Sequence, residues 1–572
     1  MKRAPLFLAL LLAARIAAAF PVADERAIVA RGRGGAVAAE EGTAAKVGVE
    51  ILEKGGNATD AAVAVALALA VTWPEAGNIG GGGFWLSRDT NGRSTAIDFR
   101  ERAPRAARRD MYSKPAGPAT PPPSSTDGPL ASGVPGTVDG LALAHRRTGH
   151  LPWRAVVEPA VRLAREGFPM TENVRSSIAA DRKKLAADRE SAAIFLPGGE
   201  PPPAGAIFRQ PALARTLEAI RDRGEDGFYR GRVAREIEEG QKKAGGSITR
   251  GDLALYNAKV RKPVTFRFLD AEVLTTGAPS SGPALAAMAA LVVSLGPKRF
   301  RAEDAAGAHL LAEIEKRVYR DRNRYLGDPD FPGVRQDLFL SPERIRRIAA
   351  TIDPDRATPS DALKTLEPRD GSTTHFSVAD ARGNLVAVTT TLNDSFGNGR
   401  VAPGLGFLWN NEMDDFATRP GEPNLYGLVQ GEVNAVAPGK RMLSAMCPTI
   451  AVIPKRGAFA WGSPGGSTIL SANFQVLLGL VLRGESLEAA VGAPRFHQQD
   501  FPDVIEIERD RFDPAWVTAL ETMGHTVKVS DREPVPGRFG RVHAVGVLAN
   551  GTMEAVADPR RHGAALVVVP AP

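Results

Sequence analysis

Asp370-Gly-Ser-Thr-Thr-His-Phe-Ser377 opens the segment on which the reading of this chain turns. From Thr373 to Asp380 small polar residues alternate with apolar ones, the period of a strand. Ala381-Arg-Gly-Asn384 is a turn, and Leu385–Leu392 reads as a second strand. A hairpin symmetric about Arg382 sets Thr391 opposite Thr373, with both hydroxyls on one face and Asn393 following at the same parity. A threonine hydroxyl is a weak nucleophile until something takes its proton. A threonine at a chain N-terminus can use its own α-amine, whose unperturbed pKa of about 7.7 suits general-base work near neutrality. Thr373 fits such a nucleophile held latent in a precursor and released by a cut after Ser372. Taken alone, the same stretch also fits a Ser/Thr-rich turn leading into an ordinary strand.

Around this hairpin the chain can bury several cores. It has 572 residues, 43% of them apolar, which excludes global disorder. The net charge of +7 comes from scattered arginines without a clustered basic stretch or interleaved aromatics. Nucleic-acid binding is therefore not expected, although a positive surface would help capture anionic peptides. Cys447 is the only cysteine, so an intrachain disulfide or a thiolate zinc cluster is impossible. No His-Glu-x-x-His and no Gly-x-Ser-x-Gly occurs, and neither a metal nor a cofactor is expected. Met1-Lys-Arg3, the apolar run Ala4–Ala14 and Ala17-Ala-Ala19 read as a secretory signal peptide over 1–19, cut before Phe20. The run is too short to span a bilayer and Arg15 interrupts it, so stable membrane insertion is not expected. An exported protein without disulfides suits a bacterial periplasm or the medium.

Further from the hairpin, Thr43–Lys54 has helical periodicity, and Asn57 or Thr59 can cap a second helix to about Val71, apolar nearly all round. Gly80–Gly83 lacks the Lys-Ser/Thr of a phosphate loop and reads as close backbone packing before a strand at Phe84. Lys262–Thr276 is strand-like. Pro283–Ser294 looks like a buried helix and Ala302–Tyr325 a long amphipathic one. Asp353–Glu367 is a polar connector ahead of Thr373. Leu405–Trp409, Ile450–Ile453 and Ala458–Trp461 read as strands, Arg419–Gly431 as a long loop, and Thr468–Leu482 as a helix. Strand pairs followed by buried helices in both halves fit two packed sheets covered by helices, an α+β fold.

Thr373-Thr-His-Phe-Ser-Val378, Thr391-Leu-Asn393, Asn410-Asn-Glu-Met-Asp-Asp-Phe416, Leu443-Ser444 and Gly462-Ser-Pro-Gly-Gly-Ser467 stand in the order found in γ-glutamyltranspeptidases. In the N-terminal half Gly55-Gly-Asn-Ala-Thr-Asp-Ala61, Asn78–Phe84, Asp98-Phe-Arg-Glu101 and Ser132–Thr137 extend the match. The chain resembles that family of N-terminal-nucleophile hydrolases over nearly its whole length after residue 25. The resemblance implies a four-layer αββα sandwich built from two self-processed subunits, 20–372 and 373–572. It implies transfer of a γ-glutamyl group from glutathione and other γ-glutamyl compounds, through an acyl-threonine, to water or to amino acid or dipeptide amines. By the same resemblance Thr373 is the nucleophile, Thr391 its partner, and Gly465-Gly466 the oxyanion hole. Arg100 and Ser444 would bind the substrate α-carboxylate, and Asn393, Glu412 and Asp415 its ammonium. Arg419–Gly431 would be a lid with Tyr426 as gate. Two departures stand out: Ala445 replaces the second of two adjacent family serines, and the chain ends in Leu566-Val-Val-Val-Pro-Ala-Pro572. An acylase for glutaryl-type β-lactam side chains or for poly-γ-glutamate on the same scaffold is the alternative.

Overall fold

The computed structural model describes residues 28–113, 122–360, 373–419, 421–530, 538–561 and 563–569. The segment read as a signal peptide and Ser372 lie outside them. Among the described residues two seven-stranded antiparallel sheets lie face to face. One runs in the order Ile28–Gly32, Met553–Ala557, His543–Leu548, Gly457–Gly462, Thr449–Ile453, Ala271–Thr275, Val264–Phe268. The other runs Ala564–Val567, Gly35–Ala39, Thr373–Asp380, Leu385–Thr391, Gly82–Arg88, Ser94–Asp98, Lys259–Arg261.

Alanine dominates the layer between the sheets: Ala36, Ala38, Ala379, Ala387, Ala460, Ala555 and Ala557 meet Leu86, Ile450 and Val545 there. Side chains this small let the sheets approach closely and give up little conformational entropy. Larger cores lie on the outer faces. Helices Gly42–Glu53, Ala58–Thr72 and Trp153–Glu166 cover one sheet. Gly282–Leu295, Ala305–Tyr325 and Thr468–Leu477 cover the other. The expected αββα layering is what forms. Ala58–Thr72 is buried along its whole length and starts in a capping box between Asn57 and Asp60, which satisfies orphan amide donors at its N-terminus. None of the described helices is long and apolar enough to cross a membrane.

The hairpin has the register read from its sequence, with Thr373 opposite Thr391. Asp380 fixes it: its Oδ1 accepts the backbone N–H of Arg382 at 3.0 Å and of Asn384 at 3.1 Å across the turn. Its Oδ2 accepts the N–H of Ala58 at 3.1 Å, tying the turn to the buried helix. A slip of one residue would turn every hairpin side chain to the other face.

One reading needs correction. Leu405–Trp409 is not a strand. Gly404 and Gly406 take left-handed φ values of 72° and 78° and curl the segment, which keeps only an isolated bridge between Val401 and Leu408. The apolar run reflects a buried loop, not a ladder. Thr468–Leu482 is helical, but its α-helix stops at Leu477 and a π-turn over Leu478–Arg483 follows. Strands Ile28–Gly32, Gly35–Ala39 and Met553–Ala557 have no counterpart in the sequence reading.

Candidate active site

Thr373 begins its strand with a buried side chain, and its hydroxyl donates to Thr391 Oγ1 at 3.3 Å. The backbone N–H of Asn393 also donates to Thr391 Oγ1, at 2.8 Å. Asn393 holds a left-handed φ of 82°, uncommon for a residue with a side chain and a mark of a backbone held by its surroundings. Its Nδ2 donates to the Asn411 carbonyl at 3.0 Å.

The glycine run supports this wall from behind. A Cβ on Gly81 would lie 2.0 Å from the carbonyl oxygen of Thr391, and one on Gly83 2.2 Å from that of Thr389. No side chain fits, so the run is the close backbone packing expected of it. Asn78 fastens it, donating to the Thr391 carbonyl at 3.0 Å and accepting the N–H of Gly81 at 2.9 Å. His375 is not poised as a base. Its ring nitrogens are held by the hydroxyls of Thr389 at 2.8 Å and Ser377 at 3.0 Å. Burial, with His543 nearby, pushes its pKa well below the usual imidazole value. Cys447 is buried, accepts from Asn473 Nδ2 and has its thiol pKa pushed up to about 12 by burial.

The opposite wall is ionic. Arg100 is fully buried; its Nη1 lies 2.6 Å from Glu412 and 3.3 Å from Glu101, and its Nη2 pairs with Asp415. One guanidinium cannot compensate three carboxylates. Burial pushes Glu101 up to about 7 and Glu412 well above the carboxylate range, with mutual repulsion adding to both; Asp415 is raised as well. The cluster therefore holds a proton near neutrality, and a cation placed beside it would favour loss of that proton to water. Asn434 secures Asp415 by donating to its carbonyl, and accepts the N–H of Leu443 at 3.0 Å. It thus couples the Asp415 segment to the one carrying Ser444.

Between the walls lies a small cavity. Thr373, Thr391, Asn393, Arg100, Asp415, Tyr426, Ser444 and Gly466 all line it. Glu412 does not; it sits beside Arg100, fully buried. Gly465 does not line it either. Its carbonyl accepts both the N–H and the hydroxyl of Thr468 at 3.0 and 2.8 Å, starting helix Thr468–Leu477. Gly465 and Gly466 have φ of 131° and 56°, and a Cβ on Gly466 would meet the Tyr426 ring at 2.8 Å. Tyr426 closes the cavity: its hydroxyl donates to the carbonyl and Oδ1 of Asn393 at 2.6 and 2.7 Å. Ala445 lines the cavity beside Ser444, so the residue that replaces the family serine lies on the cavity wall. The sequence reading passed over Arg322, which also lines the cavity. Its signal was available: Arg322 continues the buried helical stripe Leu311, Glu315, Val318, where a charged residue calls for a reason. Among the described residues no group of His, Cys, Asp or Glu is arranged to hold a metal ion.

A family model described as Gamma-glutamyltranspeptidase matches residues 44–568. The chain is 42% identical over 535 residues to the glutathione hydrolase proenzyme of Escherichia coli, covering 93% of this chain and 91% of that one. It is 40% identical to the glutathione hydrolase proenzyme of Pseudomonas aeruginosa, covering 96% of this chain and 98% of that one. Among solved structures it is similar to a cephalosporin acylase from Bacillus halodurans, with a TM-score of 0.81 at 26% identity, covering 96% of this chain and 98% of that one.

Proposed function

The chain belongs to the gamma-glutamyltranspeptidase family, and we propose that it is an exported, self-cleaving glutathione hydrolase and γ-glutamyltransferase. The observation that carries this reading is the convergence on one cavity of the Thr373–Thr391 hydroxyl pair and the Arg100–Asp415 ion pair. The first supplies a nucleophile. The second supplies what a γ-glutamyl head needs, a guanidinium for its carboxylate and a carboxylate for its ammonium.

In the precursor the Thr373 hydroxyl attacks the carbonyl of Ser372, the peptide C–N bond breaks, and the acyl group moves from nitrogen to oxygen. Water then cleaves the ester, leaving chains 20–372 and 373–572. The freed α-amine of Thr373 takes the hydroxyl proton as that oxygen attacks the γ-carbonyl of the donor. The departing amine, cysteinylglycine in the case of glutathione, takes a proton back. Water or the amine of an amino acid or dipeptide then resolves the ester on Thr373. Gly466, against the cavity, supports the oxyanion reading of the Gly465-Gly466 turn. The basic n-region, apolar run and Ala17-Ala-Ala19 support export to the periplasm or medium. A glutaryl donor has no ammonium to offer the carboxylate-rich wall, which places the acylase alternative second.

The test is purified protein on a denaturing gel, with N-terminal sequencing of the smaller chain, and release of anilide from γ-glutamyl anilide with and without a dipeptide acceptor. Two chains, the smaller beginning at Thr373, and acceptor-stimulated release are expected. A single chain that still hydrolyses the donor would overturn the mechanism.

A further inference from the structure

The cavity contains two guanidinium groups in opposite situations. Arg100 is surrounded by Glu101, Glu412 and Asp415. Arg322 has only neutral partners among the described residues: its Nε donates to Ser281 Oγ at 2.7 Å and its Nη1 to Asn323 Oδ1 at 2.7 Å. Yet Arg322 is 1% exposed. A buried cation without a counter-charge is costly, and a guanidinium does not escape by deprotonating. Asp415 is close enough to act on it through space but is committed to Arg100. The missing anion therefore has one place to come from, the cavity that Arg322 lines.

Its surroundings locate that anion. Ser281, which accepts from Arg322, donates its own proton to the carbonyl of Ser444 at 2.6 Å. Arg322 is thus anchored to the segment Ser444-Ala445-Met446, all three of which line the cavity. At Ala445 the side chain is a methyl group and offers no donor.

Resting on the γ-glutamyl reading above, we propose that Arg322 is a specificity-determining residue that shares the donor's α-carboxylate with Arg100. The arrangement divides the work between the two cations. Arg100, held by acids, joins the carboxylate to the ammonium-binding side, while Arg322 supplies the unspent positive charge.

Arg322→Gln and Arg322→Lys, made in the full precursor and checked for two chains on a gel, test this with three anilides. γ-Glutamyl anilide carries carboxylate and ammonium, glutaryl anilide only the carboxylate, and 4-aminobutanoyl anilide only the ammonium. Where an anilide turns over too slowly, its Ki against γ-glutamyl anilide is read instead. Arg322→Gln should raise KM about ten- to a hundredfold for the two carboxylate-bearing donors. It should leave 4-aminobutanoyl anilide within about twofold, and Arg322→Lys should fall between. Equal losses on all three donors would reduce Arg322 to a structural tie, and unchanged KM for the carboxylate donors would also overturn the proposal. If the Gln variant does not yield two chains, the Lys variant decides by the same split. Wild-type protein that ignores γ-glutamyl anilide but cleaves glutaryl anilide would overturn the donor reading, while glutaryl against 4-aminobutanoyl would still judge Arg322.

Discussion

The wall of the cavity that carries Thr373 is one hairpin, whereas the wall that carries Arg100 is drawn from segments scattered over more than three hundred residues, from Arg100 to Ser444. The first is neutral: hydroxyls, an amide side chain and backbone, locked by a glycine run that admits no side chain. The second is a buried cluster of charges that do not balance. The groups in direct contact with the Thr373 hydroxyl are neutral, and the fixed charges of Arg100, Arg322 and Asp415 reach it only across the cavity. In the proposed reading that wall offers a guanidinium to the carboxylate of the donor and a carboxylate to its ammonium. If, as proposed, one wall makes the bond and the other recognises the donor, each should be open to perturbation without the other.

The largest expected effect falls on the neutral wall. Thr373→Ala should leave one uncut chain on a denaturing gel and reduce anilide release to the level of the blank. Residual turnover above the blank would mean another group can act as nucleophile. On the ionic wall, Arg100→Lys keeps the charge but loses the planar fork. Loss of a charge-assisted contact costs roughly 1.5–3 kcal/mol, so kcat/KM should fall about ten- to a hundredfold. Self-cleavage should survive, since the hairpin is untouched. Failure of self-cleavage in this variant would break the separation of the two walls.

The ionic wall should also carry a pH signature. An ammonium is favoured by a more negative cluster; Asp415 is its acid on the cavity, and Glu101 behind Arg100 holds its proton up to about pH 7. The ratio of kcat/KM for γ-glutamyl anilide to that for glutaryl anilide should therefore rise with pH, by up to about tenfold per unit below neutrality, then flatten. Taking the ratio cancels the titration of the Thr373 amine. A flat ratio from pH 5.5 to 8 would show that the cluster does not meet the ammonium. The smallest effect belongs to Ala445→Ser. A restored hydroxyl should lower KM for carboxylate-bearing donors by a few-fold to about tenfold and leave 4-aminobutanoyl anilide unchanged. Equal improvement for all donors would mean that position 445 does not face the carboxylate.

The same contrast governs how much was legible in the sequence. The hairpin is local: a period of two and a turn set its register, and Asp380 enforces what the pattern implied. Its neighbour Gly35–Ala39 could not be read, because Gly-Ala-Val-Ala-Ala has no alternation when both faces are buried. Leu405–Trp409 was misread for the converse reason, since burial makes a loop as apolar as a strand. On the ionic wall motif resemblance named Arg100, Asp415 and Ser444, all of which the fold brings to one cavity. Neither the stacking of Glu101 and Glu412 on the same guanidinium nor the turn of Arg322 toward it could be seen in one dimension. Those depend on which helix lies over which sheet.

The strands on either side of Ser372 interleave. Thr373–Asp380 lies between Gly35–Ala39 and Leu385–Thr391, and Leu385–Thr391 is laddered in turn to Gly82–Arg88. Cutting the chain as proposed removes the only covalent tie between the halves, yet they cannot be parted without tearing both flanking ladders. Maturation then acts as a one-way ratchet. The precursor can regain its fold as a single molecule, whereas two separated chains must first find each other, at a rate that falls with dilution. The working lifetime of the mature protein is thereby set by how slowly it comes apart rather than by an equilibrium.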